Sequence, residues 1–124
     1  MSNMQNWRAV SASVIGPAHI ENGLQNQDSV ETRINEKVVI AAVSDGVGSA
    51  KHSDIGSKNA CNVVIESVEL WVSSQSSEVN DLLRLIQTLW LLRTRPYDIN
   101  DCAATLMFVV VLSSGMGREE TSRF

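Results

Sequence analysis

The stretch that decides the fold is residues 38–48, VVIAAVSDGVG. Its first part, residues 38–43, is continuously apolar and rich in β-branched side chains, a pattern typical of a strand buried on both faces. The carboxylate of Asp45 and two glycines follow at once, so the strand runs directly into a polar loop. We therefore expect a rigid, buried strand that holds an acidic group at its end.

A second strand is predicted immediately before this one. Residues 29–34, SVETRI, alternate between polar and apolar side chains, and a short polar segment, NEK, links them to residues 38–43. Two such strands with a short polar connection predict an antiparallel hairpin. Antiparallel pairing brings the start of the first strand beside the end of the second. We therefore expect Asp28 and Asp45 to meet at one end of the sheet, although they are seventeen positions apart.

The rest of the chain adds two helices and two further strands to this hairpin. Apolar residues recur at spacings of three and four over residues 55–72 and 78–93, and we expect Ser53 or Asp54 to cap the first of these helices. Residues 7–15 and 103–112 have the composition of strands, the segment from His19 to Asp28 reads as a loop, and residues 113–124 are polar and without a pattern. Strands followed by a helical pair predict an α+β fold.

Composition narrows the range of functions. Apolar residues make up 44% of the chain, enough for a packed core, and the net charge of −4 argues against a nucleic-acid partner. The longest apolar run, residues 103–112, is too short to cross a membrane as a helix. Cys61 and Cys102 have neither disulfide-rich nor zinc-binding spacing, which favours the reducing cytoplasm. The oligomeric state stays open.

The candidate chemistry lies in the loops that carry Asp28 and Asp45. Carboxylates beside glycine backbone offer the oxygen ligands that Mg²⁺ and Mn²⁺ prefer. The alternative interpretation is that both acids merely shape turns, since Asp-Gly pairs are common there. A nucleotide-binding loop is not supported, because Lys51 stands where a third glycine is required. His19 and His52 form no legible nucleophile arrangement with a serine or cysteine, and His52 is expected at the surface.

These stretches resemble the metal-dependent protein phosphatase 2C family, in its bacterial serine/threonine-specific branch. The resemblance covers residues 7–112, and its motifs are residues 7–16, the segment Gly16-Pro17-Ala18-His19 with Gln27-Asp28-Ser29, residues 39–56 and the segment Cys102-Ala103-Ala104-Thr105-Leu106. It implies the N-terminal portion of an α-β-β-α sandwich, with antiparallel strands and a packed helical pair. It also implies hydrolysis of phosphoserine and phosphothreonine in a phosphorylated protein substrate.

The resemblance assigns roles to four positions. Asp28 and Asp45 would bind metal through their carboxylates, Gly46 would bind it through its backbone carbonyl, and His19 would be a weaker candidate for contact with the substrate phosphate. The implied cofactors are two Mn²⁺ or Mg²⁺ ions. The nucleophile in the family is a metal-activated water, so no catalytic side chain beyond that water is implied.

The resemblance also implies a longer domain than this chain. The family's second half supplies further metal-binding aspartates, and residues 113–124 depart from its pattern. We therefore expect a single incomplete domain over residues 1–124, with exposed apolar strand faces and little or no activity alone. Two alternatives stay open: a non-catalytic binding or regulatory module with the phosphatase fold, and an unrelated α+β domain in which Asp45-Gly46 is a plain turn.

Overall fold

The computed structural model describes residues 27–112 together with the backbone of residues 119–123. The predicted strand at residues 7–15, most of the loop before Asp28, and His19 lie outside the described residues. The described elements, in chain order, are β1 (Asp28–Ile34), β2 (Val38–Asp45), α1 (Ser53–Ser73), α2 (Val79–Arg93), a 3₁₀ helix (Ile99–Cys102), β3 (Met107–Leu112) and β4 (Glu119–Arg123).

The strands form one antiparallel sheet in the order β1-β2-β3-β4. Helix α1 lies against β1 and β2, and α2 packs on α1. The predicted α+β fold, with antiparallel strands and a packed helical pair, is confirmed. Strand β2 is interior to the sheet and is covered by α1, so it is the most buried strand of the described structure. The loop that begins after Asp45 therefore starts from a well-packed strand.

The β1–β2 hairpin is confirmed, and its turn is closed by Asn35. The Oδ1 atom of Asn35 accepts hydrogen bonds from the backbone N–H groups of Lys37 at 2.8 Å and Val38 at 3.0 Å. The backbone N–H of Asn35 donates to the Val38 carbonyl at 3.0 Å. These bonds fix the register in which Asp28 pairs with Asp45, at the end of the hairpin remote from the turn.

Burial along β2 corrects the expectation of a strand buried throughout on both faces. Val38, Ile40 and Ala42 are buried in the core, whereas Val43 is 45% exposed. The reason is that the described helices cover one face of the sheet, and alternate residues of a strand point to opposite faces. The core on the covered face is built from the three named residues with Ala60, Val63, Val64, Val68, Trp71, Leu82, Ile86, Phe108 and Val110.

The helices follow the predicted positions closely, but the predicted cap is wrong. The N-cap residue of α1 is His52, whose side chain makes no capping hydrogen bond, and Ser53 is the first helical residue. Helix α2 ends at Arg93, and the backbone N–H of its C-cap residue, Thr94, donates to the Trp90 carbonyl at 3.0 Å. In the same turn the guanidinium of Arg93 pairs with Glu66 of α1 at 2.7 Å.

The C-terminal strands differ most from the prediction. Residues 99–102 form a 3₁₀ helix and β3 begins only at Met107, not at residue 103. Residues 119–123, which carry no strand pattern in the sequence, pair with β3 as β4. No helix in the described part of the chain is both long and apolar enough to span a bilayer.

Candidate metal centre

Asp28 and Asp45 are directly opposite each other in the hairpin. Side chains opposite each other in an antiparallel pair lie on the same face, with Cβ atoms about 4.5–5.5 Å apart. That face is the one opposite the helices, because Ser44 and Ala42 point into the covered core. The meeting of Asp28 and Asp45 that hairpin pairing predicts is therefore confirmed. A hard cation is the group that two facing carboxylates are suited to hold.

Gly46 follows β2 and is buried against Gln27, the residue before β1. Its backbone N–H donates to the Gln27 carbonyl at 2.9 Å. A Cβ atom at this position would lie 2.5 Å from that same oxygen and 2.9 Å from the Cβ of Ser53. Both neighbours are held by backbone, so neither could yield cheaply. Glycine is therefore required here for space, and it lets the loop after Asp45 pass tightly between Gln27 and the first residue of α1.

The segment 103–105 braces the other side of this loop. The Val47 N–H donates to the Ala103 carbonyl at 2.9 Å, and the Thr105 N–H donates to the Asp45 carbonyl at 2.8 Å. The Thr105 hydroxyl is 3.3 Å from both the backbone nitrogen and the carbonyl oxygen of Asp45. Sequence reasoning gave no role to Thr105, although hydroxyl residues at a strand end are the signal that could have suggested one.

Two buried polar atoms flank Gly46 without a hydrogen-bond partner among the described residues. They are Oε1 of Gln27 and Oγ of Ser53, and Ser53 is completely buried. These two atoms lie with Gly46 on the helix side of the sheet, whereas the carboxylates of Asp28 and Asp45 lie on the opposite, exposed face. The two facing carboxylates by themselves offer only oxygen ligands. An oxygen-rich set suits Mg²⁺ or Mn²⁺ better than zinc or copper, which favour nitrogen and sulfur. The residues present thus fit part of a site for a hard divalent cation.

The acids of the described region are few, however. No group of three or more histidine, cysteine, aspartate or glutamate side chains that could hold a metal lies within residues 27–112. The carboxylates of Asp28 and Asp45 supply two negative charges, and affinity for hard cations rises with the number of charged ligands. We therefore expect these residues to bind a divalent ion weakly by themselves.

The rim of the loop is also acidic. Asp54 lies in the first turn of α1, Asp98 is the N-cap residue of the 3₁₀ helix, and Asp101 lies within that helix. Burial raises the pKa of the Cys102 thiol, and the negative charges of Asp101, Asp54 and Asp98 raise it further. This charge distribution favours cations over anions beside the start of α1.

Neither cysteine is placed to act as a nucleophile. Cys61 is completely buried between α1 and β1, where its Sγ lies 3.5 Å from the Ser29 carbonyl. Burial raises the pKa of the Cys61 thiol to about 11, so the thiol stays protonated and unreactive at neutral pH. Phosphate ester cleavage by a cysteine thiolate is therefore not supported by either residue.

His52 is more engaged than its predicted surface position suggested. It is partly buried, and its ring lies against that of Tyr97, with ring centroids 4.2 Å apart and planes inclined at 46°. Its backbone N–H donates to the Asp101 carbonyl at 2.6 Å, which joins the loop to the 3₁₀ helix. The contacts of His52 thus contribute to packing of the loop, and none of them points to catalysis.

Comparison with known proteins identifies the family. A family model described as protein phosphatase 2C matches residues 15–118, which is most of the chain. The chain belongs to the protein phosphatase 2C family. No curated protein and no solved structure gave a significant match.

Membership of the protein phosphatase 2C family supports a phosphatase-like fold and a general dependence of the family on metal ions. The match begins at residue 15 rather than 7 and extends past Leu112 to residue 118. It includes Asp28, Asp45 and Gly46, whose geometry is described above, and His19, which lies outside the described residues. The roles of these four residues stay predictions.

Proposed function

We propose that this chain is the N-terminal part of a metal-dependent serine/threonine protein phosphatase domain, incomplete over residues 1–124, whose substrates are phosphorylated proteins. The observation that carries the proposal is the pairing of Asp28 with Asp45 at the end of the hairpin. Family membership supports the same reading, because the family's members are generally metal-dependent phosphatases.

In this proposal each residue has a defined task. Asp28 and Asp45 hold a divalent cation, Mn²⁺ or Mg²⁺, through their carboxylates, and the Gly46 carbonyl adds a neutral oxygen. His19 is the weaker candidate for contact with the substrate phosphate. Bound divalent ions would supply an activated water and neutralise charge on the phosphoryl group, so catalysis needs no protein nucleophile. The inert, buried thiols of Cys61 and Cys102 agree with that chemistry and with a reducing cytoplasm.

A second candidate function is a regulatory or binding module that keeps the phosphatase fold without turnover. It is favoured by one observation, that only two carboxylates meet at the candidate site within the described residues. Both candidates predict cation binding at Asp28 and Asp45. Both also predict no measurable hydrolysis of a phosphoserine peptide by the 124-residue chain alone. They differ in whether a domain completed with the family's further metal-binding aspartates hydrolyses that peptide when supplied with Mn²⁺.

The test of the shared claim is a Mn²⁺ titration followed by electron paramagnetic resonance. We expect wild type to bind weakly, and Asp45→Asn and Asp28→Asn each to lose most of that binding. Asp81→Asn is the matched control, because Asp81 is an exposed carboxylate at the start of α2, where it accepts a hydrogen bond from Ser76. Equal Mn²⁺ affinity in wild type and Asp45→Asn would refute the proposed function.

A further inference from the structure

The hydrogen bonding beside Asp45 departs from the regular sheet pattern. The register that pairs Val43 with Met107 also pairs Gly46 with Ala104, so Asp45 stands opposite Thr105 with no inserted residue. At such a position the two residues of an antiparallel pair normally exchange both backbone hydrogen bonds. Only one of these two backbone hydrogen bonds is present, from the Thr105 N–H to the Asp45 carbonyl at 2.8 Å.

Side chains replace the missing bond. The Asp45 N–H lies 3.3 Å from the Thr105 hydroxyl oxygen instead of bonding to the Thr105 carbonyl. That carbonyl accepts a hydrogen bond from the hydroxyl of Ser44, which is buried. The Thr105 hydroxyl in turn donates to the Asp45 carbonyl at 3.3 Å. The Thr105 hydroxyl thus contacts both the N–H and the carbonyl of Asp45, while the Ser44 hydroxyl occupies the Thr105 carbonyl that regular pairing would offer to the Asp45 N–H.

We infer that Thr105 is a positioning residue that aims the Asp45 carboxylate at the cation. The inference deepens the proposed function and rests on it. Its physical basis is that a side-chain hydroxyl both accepts from the N–H and donates to the carbonyl of Asp45, so it fixes the backbone from which the carboxylate projects. Valine has nearly the same shape as threonine but no hydroxyl. In the Thr105→Val variant the Asp45 N–H would lose its hydroxyl acceptor, and the backbone carbonyl of residue 105 would remain as its acceptor. The Asp45 peptide would then turn toward regular antiparallel pairing.

The experiment compares Thr105→Val with Thr105→Ser, which keeps the hydroxyl, and with Thr88→Val, a matched change at an exposed position of α2. Mn²⁺ affinity is measured by electron paramagnetic resonance, hydrogen exchange of the Asp45 amide by nuclear magnetic resonance, and stability by urea unfolding in EDTA. We expect Thr105→Val to bind Mn²⁺ about 3–10-fold more weakly, the change that one hydrogen bond is worth. Exchange at Asp45 should also be faster, while Thr105→Ser and Thr88→Val match wild type.

Unchanged Mn²⁺ affinity in Thr105→Val would overturn the inference and leave the proposed function standing. Equal weakening in Thr105→Ser would also overturn it, because the hydroxyl would then not be the cause. Absence of Mn²⁺ binding in wild type would instead overturn the proposed function and, with it, the role of Thr105. If Thr105→Val does not fold, Thr105→Ala replaces it, since Thr105 is exposed and alanine also removes the hydroxyl. Weaker Mn²⁺ binding by Thr105→Ala than by Thr105→Ser supports the inference, and unchanged binding overturns it.

Discussion

Asp28 and Asp45 pair across the hairpin at a cost in stability, because like charges directly opposite each other in a sheet repel. Acidic residues directly opposite each other are therefore unfavourable in a sheet. They would stabilise the folded chain only when a bound cation neutralises their charge. The cost and the benefit belong to the same two side chains, so they can be separated by changing the charge and the metal independently.

Replacing Asp45 with asparagine should therefore raise stability in the absence of metal. We expect the free energy of unfolding in EDTA to rise by about 0.2–1 kcal/mol, the usual size of a cross-strand pair term. Added Mn²⁺ should stabilise wild type and leave the variant unchanged, because a ligand that binds only the folded state stabilises it. Urea unfolding with and without Mn²⁺ measures both effects.

The double variant Asp28→Asn with Asp45→Asn is the control for this prediction. If repulsion between the two carboxylates is the cause, the second substitution adds little to the first, which a double-mutant cycle detects. A loss of stability in EDTA on changing Asp45 alone would contradict the interpretation.

At the same scale, the sequence predicted the meeting of Asp28 and Asp45 but not the role of Thr105. The first follows from hairpin pairing, which alternation and turn residues reveal. The role of Thr105 depends on its hydroxyl accepting the Asp45 N–H in place of a backbone carbonyl. Sequence periodicity carries no information about such a side-chain hydrogen bond.

Among the elements, helix α1 is fixed to its surroundings at Gly56. A Cβ atom on Gly56 would lie 1.8 Å from the Cys102 carbonyl oxygen, so the 3₁₀ helix packs directly on the α1 backbone. The indole N–H of Trp90 in α2 donates to the Gly56 carbonyl at 3.0 Å. One glycine thus joins three elements, and the 3₁₀ helix leads directly into the segment that braces Asp45.

Gly56→Ala tests this junction. Alanine is the better helix former by about 1 kcal/mol, so propensity alone would stabilise the variant. We expect the clash of the alanine Cβ with the Cys102 backbone to outweigh this gain in helix propensity. The free energy of unfolding should fall by about 1–3 kcal/mol, as for other overpacked sites.

Lys58→Ala, at an exposed position of the same helix, is the control and should change stability by less than about 0.5 kcal/mol. Urea unfolding of both variants measures the difference. A Gly56→Ala protein as stable as wild type would show that the 3₁₀ helix is not held at this point.

The elements that sequence reasoning misplaced share a cause. The cap of α1 was misassigned because the helix start is set by contacts of the His52 backbone with Asp101, not by a side-chain cap. Strand β4 is polar and gains its structure by pairing with β3, so its own residues carry no signal. In both cases a distant segment determines the local structure.

For the molecule as a whole, the two faces of the sheet differ in cover. The described helices pack on one face, where Val110 is almost fully buried. On the other face Val43 and Met107, which pair with each other, are 45% and 40% exposed. The exposure of these two residues agrees with the apolar strand faces expected for an incomplete domain. Residues 38–43 are apolar throughout, so the sequence does not indicate which of them face the helices and which face the open side of the sheet.

Paired valine-to-threonine substitutions measure this asymmetry. Val110→Thr places a hydroxyl in the core and should lower the free energy of unfolding by about 1–3 kcal/mol. Val43→Thr makes the same change on the open face and should stay within about 0.5 kcal/mol of wild type. Similar losses in the two variants, measured by urea unfolding, would mean that the open face is covered in solution.

The Asn35 turn has a consequence at the opposite end of its hairpin. Side chains alternate along a strand, so a slip of a single residue in the pairing would set Ser44 opposite Asp28. The proposed cation site would then consist of one acid and one alcohol. By accepting hydrogen bonds from the N–H groups of Lys37 and Val38, the amide oxygen of Asn35 sets the spacing on which the proposed site at the far end of the hairpin depends.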